Sequence, residues 1–275
     1  MKYFFLLFLA MTTSSVSYGA PTPSICERTW AIYEFFYYRN PHAKCGDIVD
    51  SDLANVLTLN LFQQLSSFHK GDFNGFTNLE VLYIDRNYLD SIEPGFFNEL
   101  KSLRILSATG SRISSLARGT FDGLMSLREL KLNSNEIFEI SDGVFSKLGN
   151  LEILNLAYNK IPNLKEDLFD GLDSLKSLTL EGNQINEIGL AFANLRELKY
   201  LDLSSNKLKL LNAISFIGLE KVEDLSLMFN EIEQVPESMI KSMKSLKKVH
   251  LQGNNLNKDE LNQLRSKFPQ IDFIF

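Results

Sequence analysis

The sequence has few residues of the kinds that hold metals, nucleic acids or glycans. Among its 275 residues are only two cysteines and three histidines, whereas a structural zinc site needs about four such ligands at close spacing. No block of five Lys or Arg residues occurs and the formal charge is −6, so a nucleic acid would find no basic patch. No Asn-x-Ser/Thr sequon is present either, so we expect no N-linked glycan. The sequence thus predicts no metal, no cofactor and no nucleic-acid partner.

Long apolar runs are also missing. The run from Tyr3 to Met11 is much shorter than the about 20 residues that cross a bilayer. It follows Lys2 and precedes a small-x-small pattern that ends at Gly19, which is typical of a signal peptidase site. These features predict a signal peptide of residues 1–19 and a secreted, extracellular mature protein without a membrane anchor.

What the sequence does contain is an internal repeat. The pattern L-x-x-L-x-L-x-x-N-x-L starts at residues 79, 103, 127, 151, 175, 198, 222 and 246, so the period is 24 residues with one interval of 23. Leu82, Ile84 and their equivalents alternate with other residues across a short strand and should point inward. Each coil would leave an apolar edge that only the next coil can cover, which predicts a solenoid.

Two further columns recur in the repeat. An Asn column should supply both an amide donor and a carbonyl acceptor to backbone groups where the chain turns inward. It comprises Asn87, Asn135, Asn159, Asn183, Asn206, Asn230 and Asn254, with Ser111 as the exception. A buried Phe column on the outer side comprises Phe97, Phe121, Phe145, Phe169, Phe192 and Phe216, continued by Ile240 and Leu264.

These columns resemble the leucine-rich repeat family, in particular the 24-residue type of animal extracellular proteins such as Toll-like receptor ectodomains and small secreted arthropod proteins. The resemblance implies an α/β solenoid with a curved parallel sheet on the concave face and short helical or irregular turns on the convex face. Repeats should cover residues 53–257, with Leu57 and Leu59 inward in the first strand. Residues 258–275 should form a capping helix and an edge strand, which gives about ten strands.

The segment before the repeats is rich in aromatic residues. Cys26 and Cys45 enclose six aromatics between Trp30 and Tyr38, and export would favour a disulfide between the two cysteines. On a helical wheel one arc holds Trp30, Tyr33, Phe36 and Tyr37, while Phe35 and Tyr38 project elsewhere. We interpret residues 20–52 as a disulfide-linked cap over the open N-terminal end of the solenoid. A ligand site on Phe35 and Tyr38 is the alternative.

The predicted concave face offers candidate binding residues. Aromatic, aliphatic and Met side chains there have the composition of binding hot spots, although strand preference alone also favours such residues. The candidates are Val81, Tyr83, Ile105, Ile153, Tyr158, Tyr200, Met228, Phe229 and His250.

The sequence gives little support for a catalytic site on the same face. Ser226 and His250 should be neighbours, with Asp202 and Asp224 nearby, but Asp202 flanks the serine and an open sheet offers no oxyanion pocket. A cross-strand pair of Asp224 and Lys248 is the plainer interpretation. We therefore expect no enzyme.

The expected function is extracellular protein recognition, and the resemblance implies innate immunity or host interaction, as a recognition factor or a decoy. Two alternatives stay open: a structural spacer of the extracellular matrix and an enzyme inhibitor. An exposed last strand invites pairing, so a homodimer through Ile271 to Phe275 is a further hypothesis.

Overall fold

The computed structural model of the protein describes residues 28, 30–39, 42, 44, 47–62, 65–69 and 71–275. The predicted signal peptide lies outside the described residues, and so do Cys26 and Cys45. The signal peptide and the disulfide therefore stay predictions. Within the described ranges, no helix is long and apolar enough to cross a membrane.

The architecture is a solenoid built on one parallel sheet of ten short strands. Each strand pairs in parallel with the strand of the next coil. The strands are β1 (Thr58–Asn60), β2 (Val81–Tyr83), β3 (Ile105–Ser107), β5 (Glu129–Lys131), β7 (Ile153–Asn155), β8 (Ser177–Thr179), β9 (Tyr200–Asp202), β10 (Asp224–Ser226), β11 (Lys248–His250) and β12 (Asp272–Ile274). Two shorter strands, β4 (Ser115–Leu116) and β6 (Glu139–Ile140), pair beside this sheet. The predicted solenoid and its fold class are confirmed.

The alternation of side chains explains why these segments form strands. In each strand of the large sheet the central residue is at most 2% exposed, while its neighbours lie on the concave face. These central residues are Leu59, Leu82, Leu106, Leu130, Leu154, Leu178, Leu201, Leu225, Val249 and Phe273. Burial of such a side chain stabilises the fold by about 1.5–3 kcal/mol, so the core is a continuous column that each coil extends.

The register of β1 differs from the prediction by two residues. Leu59 pairs with Leu82, and the buried residues of this coil are Leu59 and Leu61 rather than Leu57 and Leu59. The Leu57 carbonyl accepts hydrogen bonds from Glu80 and the following residue, so Leu57 takes an outward position before the strand. Three leucines at alternate positions fit either register, because the side-chain period of a strand is two.

The Asn column forms a ladder of hydrogen bonds between coils. The Asn183 amide donates to the carbonyls of Leu156 and Leu180, both at 3.0 Å, and its oxygen accepts from the Ile161 N–H at 3.1 Å. Leu180 belongs to the same coil, whereas Leu156 and Ile161 belong to the preceding coil. The same three bonds recur at Asn87, Asn135, Asn159, Asn206, Asn230 and Asn254.

Ser111 leaves a gap in this ladder. The residue is buried, and its hydroxyl has no hydrogen-bond partner in the described part of the chain. The Ser111 hydroxyl thus replaces none of the three bonds that each Asn side chain makes. The shorter side chain ends before the backbone groups that an Asn would reach.

The outer side of the coils is held by the Phe column. Rings of Phe121, Phe145, Phe169 and Phe192 stack with centroids 6.0 to 6.4 Å apart. The convex turns are mostly irregular, with a 3-10 helix at Ala213–Phe216 and helix α3 at Glu237–Ser242, which both carry buried apolar residues. The predicted convex face of short helical or irregular turns is confirmed.

Before the repeats lie helices α1 (Trp30–Arg39) and α2 (Asp50–Ala54). Ile32 of α1 is fully buried, and the half-buried Phe36 ring lies 6.3 Å from the Phe76 ring of the first return. Phe35 also packs against the core. Among the α1 side chains that the structure describes, the buried face is therefore formed by Ile32, Phe35 and Phe36. The Trp30 side chain lies outside that description, so its predicted place in the cap is untested.

This face corrects the helical-wheel prediction. Tyr37 is exposed, because the wheel weighed only aromatic residues and omitted Ile32, which centres the buried face. Phe35 is covered by the Arg39 guanidinium, 3.5 Å above its ring. Tyr38 is 72% exposed. Phe35 and Tyr38 therefore differ in exposure and do not form one open aromatic surface.

The C-terminal end consists of helix α4 (Lys258–Lys267) and the edge strand β12. Leu264 of α4 is buried, as is Phe273 of β12. Arg265 donates to the Phe273 carbonyl at 3.0 Å and lies 4.5 Å above the Phe275 ring. One backbone group of the edge strand is thus occupied within the chain, which is a known means of limiting edge pairing.

Candidate functional site

The sheet register places the candidate residues on the concave face. Val81 pairs with Ile105 and Tyr83 with Ser107, while Asp224 pairs with Tyr200 on one side and with Lys248 on the other. Most candidates are half-buried between neighbouring side chains, and the three exposed ones are Ile153, Tyr158 and Phe229. In the first strand the shifted register puts Asn60, rather than Thr58, beside Tyr83.

A network of hydrogen-bonded polar side chains lies next to the candidate binding residues in the N-terminal half of the concave face. The Asp85 carboxylate accepts from the Ser107 hydroxyl and from the Thr109 N–H, at 2.5 and 2.7 Å. The Thr109 hydroxyl in turn donates to the Asn133 side chain at 3.0 Å. The sequence analysis identified the apolar residues of this region but missed the network. The sequence feature that indicates it is the series of polar residues, Asp85, Thr109 and Asn133, just after the successive strands.

An acidic centre lies in the C-terminal half of the face. The buried Asp202 carboxylate accepts from the Ser204 N–H at 2.9 Å, the Ser204 hydroxyl at 2.6 Å and the Tyr200 hydroxyl at 3.1 Å. These bonds satisfy the charge in place of water. Asp202 is thereby held rigidly beneath the surface.

The partner of Asp224 differs from the prediction. Its Oδ1 atom lies 3.2 Å from His250 Nε2, a close contact that is not a hydrogen bond in the described part of the chain, whereas Lys248 has no ion pair within the described ranges. His250 lies two positions beyond Lys248, which is the direct cross-strand neighbour of Asp224, and side chains at this diagonal offset can meet. Ser226 is buried and makes no hydrogen bond to His250 in the described part of the chain. The contact between nucleophile and base that catalysis needs is therefore not formed.

Two tyrosines border this acidic centre as neutral donors. Burial, followed by the nearby Asp202 charge, raises the pKa of Tyr200 well above its ordinary value. The Tyr158 hydroxyl donates to the Glu181 carboxylate at 2.5 Å, and this bond raises the pKa of Tyr158. Both phenols keep their protons at neutral pH and hold carboxylates in position.

The residue before each Asn-column position has a left-handed backbone. This conformation, with φ between 52° and 71°, recurs at Arg86, Gly110, Ser134, Tyr158, Gly182, Ser205, Phe229 and Gly253. Bulky residues rarely adopt it, because their Cβ meets the backbone. Tyr158 and Phe229 nevertheless occupy it, and their side chains are 53% and 58% exposed.

Each of these two aromatic rings lies over a glycine of the next coil. A Cβ on Gly182 would lie 2.5 Å from Tyr158 Cδ1, and a Cβ on Gly253 would lie 2.4 Å from Phe229 Cδ1. Each ring thus occupies space that a side chain at the facing glycine would need. Sequence reasoning selected Tyr158 and Phe229 as apolar, but the backbone strain was not visible in the sequence.

Comparison with known proteins agrees with this geometry. The family profile described as leucine rich repeat matches residues 77–137, 126–185 and 189–232. The chain belongs to the leucine-rich repeat family. The resemblance to this family inferred from the sequence is confirmed, and scaffolds of this family typically bind rather than catalyse.

Toll-type proteins are among the relatives of this leucine-rich repeat chain. Human Toll-like receptor 5 is 46% identical over 41 residues, which are 15% of this chain and 5% of the receptor. Among solved structures, a leucine-rich repeat protein of Leptospira interrogans has 27% identity and a TM-score of 0.60, with 80% of this chain and 60% of that chain covered. A Toll–Spatzle complex of Drosophila has 24% identity and a TM-score of 0.68, with 73% and 27% covered, and shows the fold alone. The chain thus spans less than two thirds of the length of each of these relatives.

Proposed function

We propose that the protein is a secreted recognition protein whose concave face binds an extracellular protein partner without catalysis. The observation that carries this proposal is the pair of exposed aromatic residues, Tyr158 and Phe229, on left-handed backbone positions. Folding does not require an aromatic residue here, because Gly, Ser or Arg occupies the same position in other coils. Strain that the fold does not need is a reason to look for function.

The surroundings of the two rings indicate the chemistry of the partner. Tyr158 and Phe229 are three coils apart, about 14 Å at about 4.8 Å per strand. The carboxylates of Glu181 and Asp202 belong to the two coils between them, and Asp224 belongs to the coil of Phe229. A partner that inserts a Lys or Arg side chain between two apolar anchors fits this arrangement, and aromatic residues are frequent hot spots of such interfaces.

A role in immunity is supported by the relatives. The Drosophila structure is described as a Toll–Spatzle complex that acts in development and innate immunity. By analogy, this chain would act as a recognition factor or as a decoy for an extracellular protein. Neither a matrix spacer nor an enzyme inhibitor gains support from a particular observation in the fold.

The proposal is tested by quantitative affinity capture from extracellular fluid. The baits are the mature protein, the double variant Tyr158→Ser with Phe229→Ser, and Phe138→Ser, which removes an exposed aromatic from the flank outside the concave face. We expect a specific partner that the double variant captures at least about 10-fold less, as hot-spot truncation typically does, and that Phe138→Ser captures normally. Equal capture by all three baits would refute a concave site at these residues.

A further inference from the structure

One coil of the solenoid is a residue shorter than the others. The coil that begins at Leu175 has 23 residues, and its return has three residues between Ile188 and Phe192 where the preceding coil has four. Gly189 turns the chain there with φ of +58°. A groove of about 670 Å³ lies between this return and the next coil. The groove is on the flank of the solenoid and shares no residue with the concave candidates.

A backbone hydrogen bond is missing at this junction. At four other junctions the third residue after the Asn column donates to its equivalent in the preceding coil, as Phe138 does to Ser114 at 3.0 Å and Glu233 to Lys209 at 3.4 Å. Pro162 has no N–H to donate, and Asn257 makes no such bond in the described part of the chain. The corresponding bond from the Lys209 N–H to the Asn186 carbonyl is not formed. One donor and one acceptor that pair elsewhere are therefore left open at the wall of the groove.

Two aliphatic side chains line the groove where other coils have polar or small residues. Leu210 is 82% exposed and Ile214 is 54% exposed. The positions equivalent to Leu210 are occupied by Ser91, Ser115, Glu139, Asn163, Glu187, Gln234 and Lys258. Those equivalent to Ile214 in the full-length coils are Gly95, Gly119, Gly143, Asp167 and Ser238. Two exposed aliphatic side chains that line one groove are a mark of an interaction site.

The groove also carries two charges of opposite sign that are free to pair. Lys207 and Glu187 both line it, and neither forms an ion pair with any residue that the structure describes. Lys209, by contrast, is engaged by Glu231 at 3.1 Å. A ligand with one acidic and one basic side chain would complement Lys207 and Glu187.

We propose that this groove binds an extended segment of a partner protein. The segment pairs its main chain with the Lys209 N–H and the Asn186 carbonyl, in the manner of strand addition. An aliphatic side chain packs against Leu210 and Ile214, and flanking acidic and basic side chains face Lys207 and Glu187. This is a second interface, separate from the concave site.

The test is a selection of linear peptides from a displayed random library on the immobilised mature protein. Parallel selections use Leu210→Ser and, as a matched control, Phe138→Ser, which removes an exposed apolar side chain from the same flank of another coil. The best peptides are then measured by fluorescence anisotropy, including a copy N-methylated at the anchor residue. Thermal unfolding of each variant verifies that the exposed substitutions leave the fold unchanged.

The proposal expects a consensus with one aliphatic residue between opposite charges. Such a peptide should bind Leu210→Ser at least about 10-fold more weakly than the parent and Phe138→Ser, and N-methylation should weaken it similarly. The proposal would be overturned if no consensus peptide were enriched, or if the enriched peptides bound Leu210→Ser as tightly as the parent. A dimer in sedimentation velocity that Leu210→Ser dissolves would also overturn it, because a second copy would then occupy the groove. The concave double variant should leave peptide binding unchanged, so the two proposals fail separately.

Discussion

Substitution of Ser111 by Asn should complete the hydrogen-bond ladder and stabilise the protein. In the coil that follows, Asn135 accepts from the Ile113 N–H, 22 residues earlier, at 3.2 Å. The equivalent donor for residue 111 is the N–H of the buried Leu89, which has no hydrogen bond in the described part of the chain. An Asn amide at position 111 would also add second donors to the carbonyls of Ile84 and Ala108.

The magnitude follows from the groups that gain partners. A buried N–H without a partner costs about 1–3 kcal/mol, and an ordinary hydrogen bond contributes about 1 kcal/mol net. Because the two carbonyls already accept from other Asn side chains, most of the gain comes from Leu89. We expect Ser111→Asn to raise the free energy of unfolding by about 1–3 kcal/mol.

Urea and thermal unfolding measure this change. For a chain of this size, each kcal/mol shifts the melting temperature by about 2–4 °C. The reverse substitution, Asn135→Ser, is the matched control and should lower the free energy of unfolding by a similar amount, because it orphans the Ile113 N–H. An unchanged or lower stability of Ser111→Asn, with Asn135→Ser destabilising as expected, would show that the gap is not a defect in bonding.

Three other substitutions test the concave rim, the acidic centre and the edge strand. Gly182→Ala places a Cβ 2.5 Å from the Tyr158 ring at a left-handed backbone, so calorimetry should show a loss of more than about 1 kcal/mol. The raised pKa of Tyr200 means that its stabilising effect is complete below about pH 10 and declines as pH rises further. The difference in unfolding free energy between the parent and Tyr200→Phe should therefore shrink from pH 9 to pH 12, and a constant difference would contradict the assigned cause. Arg265→Ala frees the Phe273 carbonyl of the edge strand, so sedimentation velocity should show more self-association than in the parent; a monomer at high concentration would argue against edge pairing altogether.

The repeat made the architecture predictable, because inward positions recur every 24 residues and each has one physical role. The register of β1 was not predictable, since Leu57, Leu59 and Leu61 satisfy two alternatives with equal periodicity. Local packing also decided the buried face of α1, where Ile32 outweighs the aromatic residues around it. The register of β1 and the buried face of α1 were thus mispredicted because the repeat pattern allows more than one arrangement there, and a few tertiary contacts determine which one forms.

The candidate sites were predictable only in part. The strand alternation placed Tyr200 and Phe229 on the concave face, but the choice of His250 over Lys248 as the partner of Asp224 depends on side-chain reach. The flank groove has a trace in the sequence, namely one coil of 23 residues and a leucine at a position that is polar in the other copies. Its open backbone groups could be found only from the hydrogen bonds of the folded chain.

Each Asn side chain of the ladder links its own coil to the coil that precedes it in the chain. Each Asn side chain accepts from an N–H that was synthesised 21 or 22 residues earlier, so a coil followed by an Asn is completed by its successor and not by itself. The coil before Ser111 is the exception. During synthesis a coil stays incomplete until the next one has left the ribosome, and the assembly closes from the N-terminus onward. A chain shortened from the C-terminal side would always expose one open coil, whereas loss of a coil from the N-terminal side removes no seal from the coils that remain.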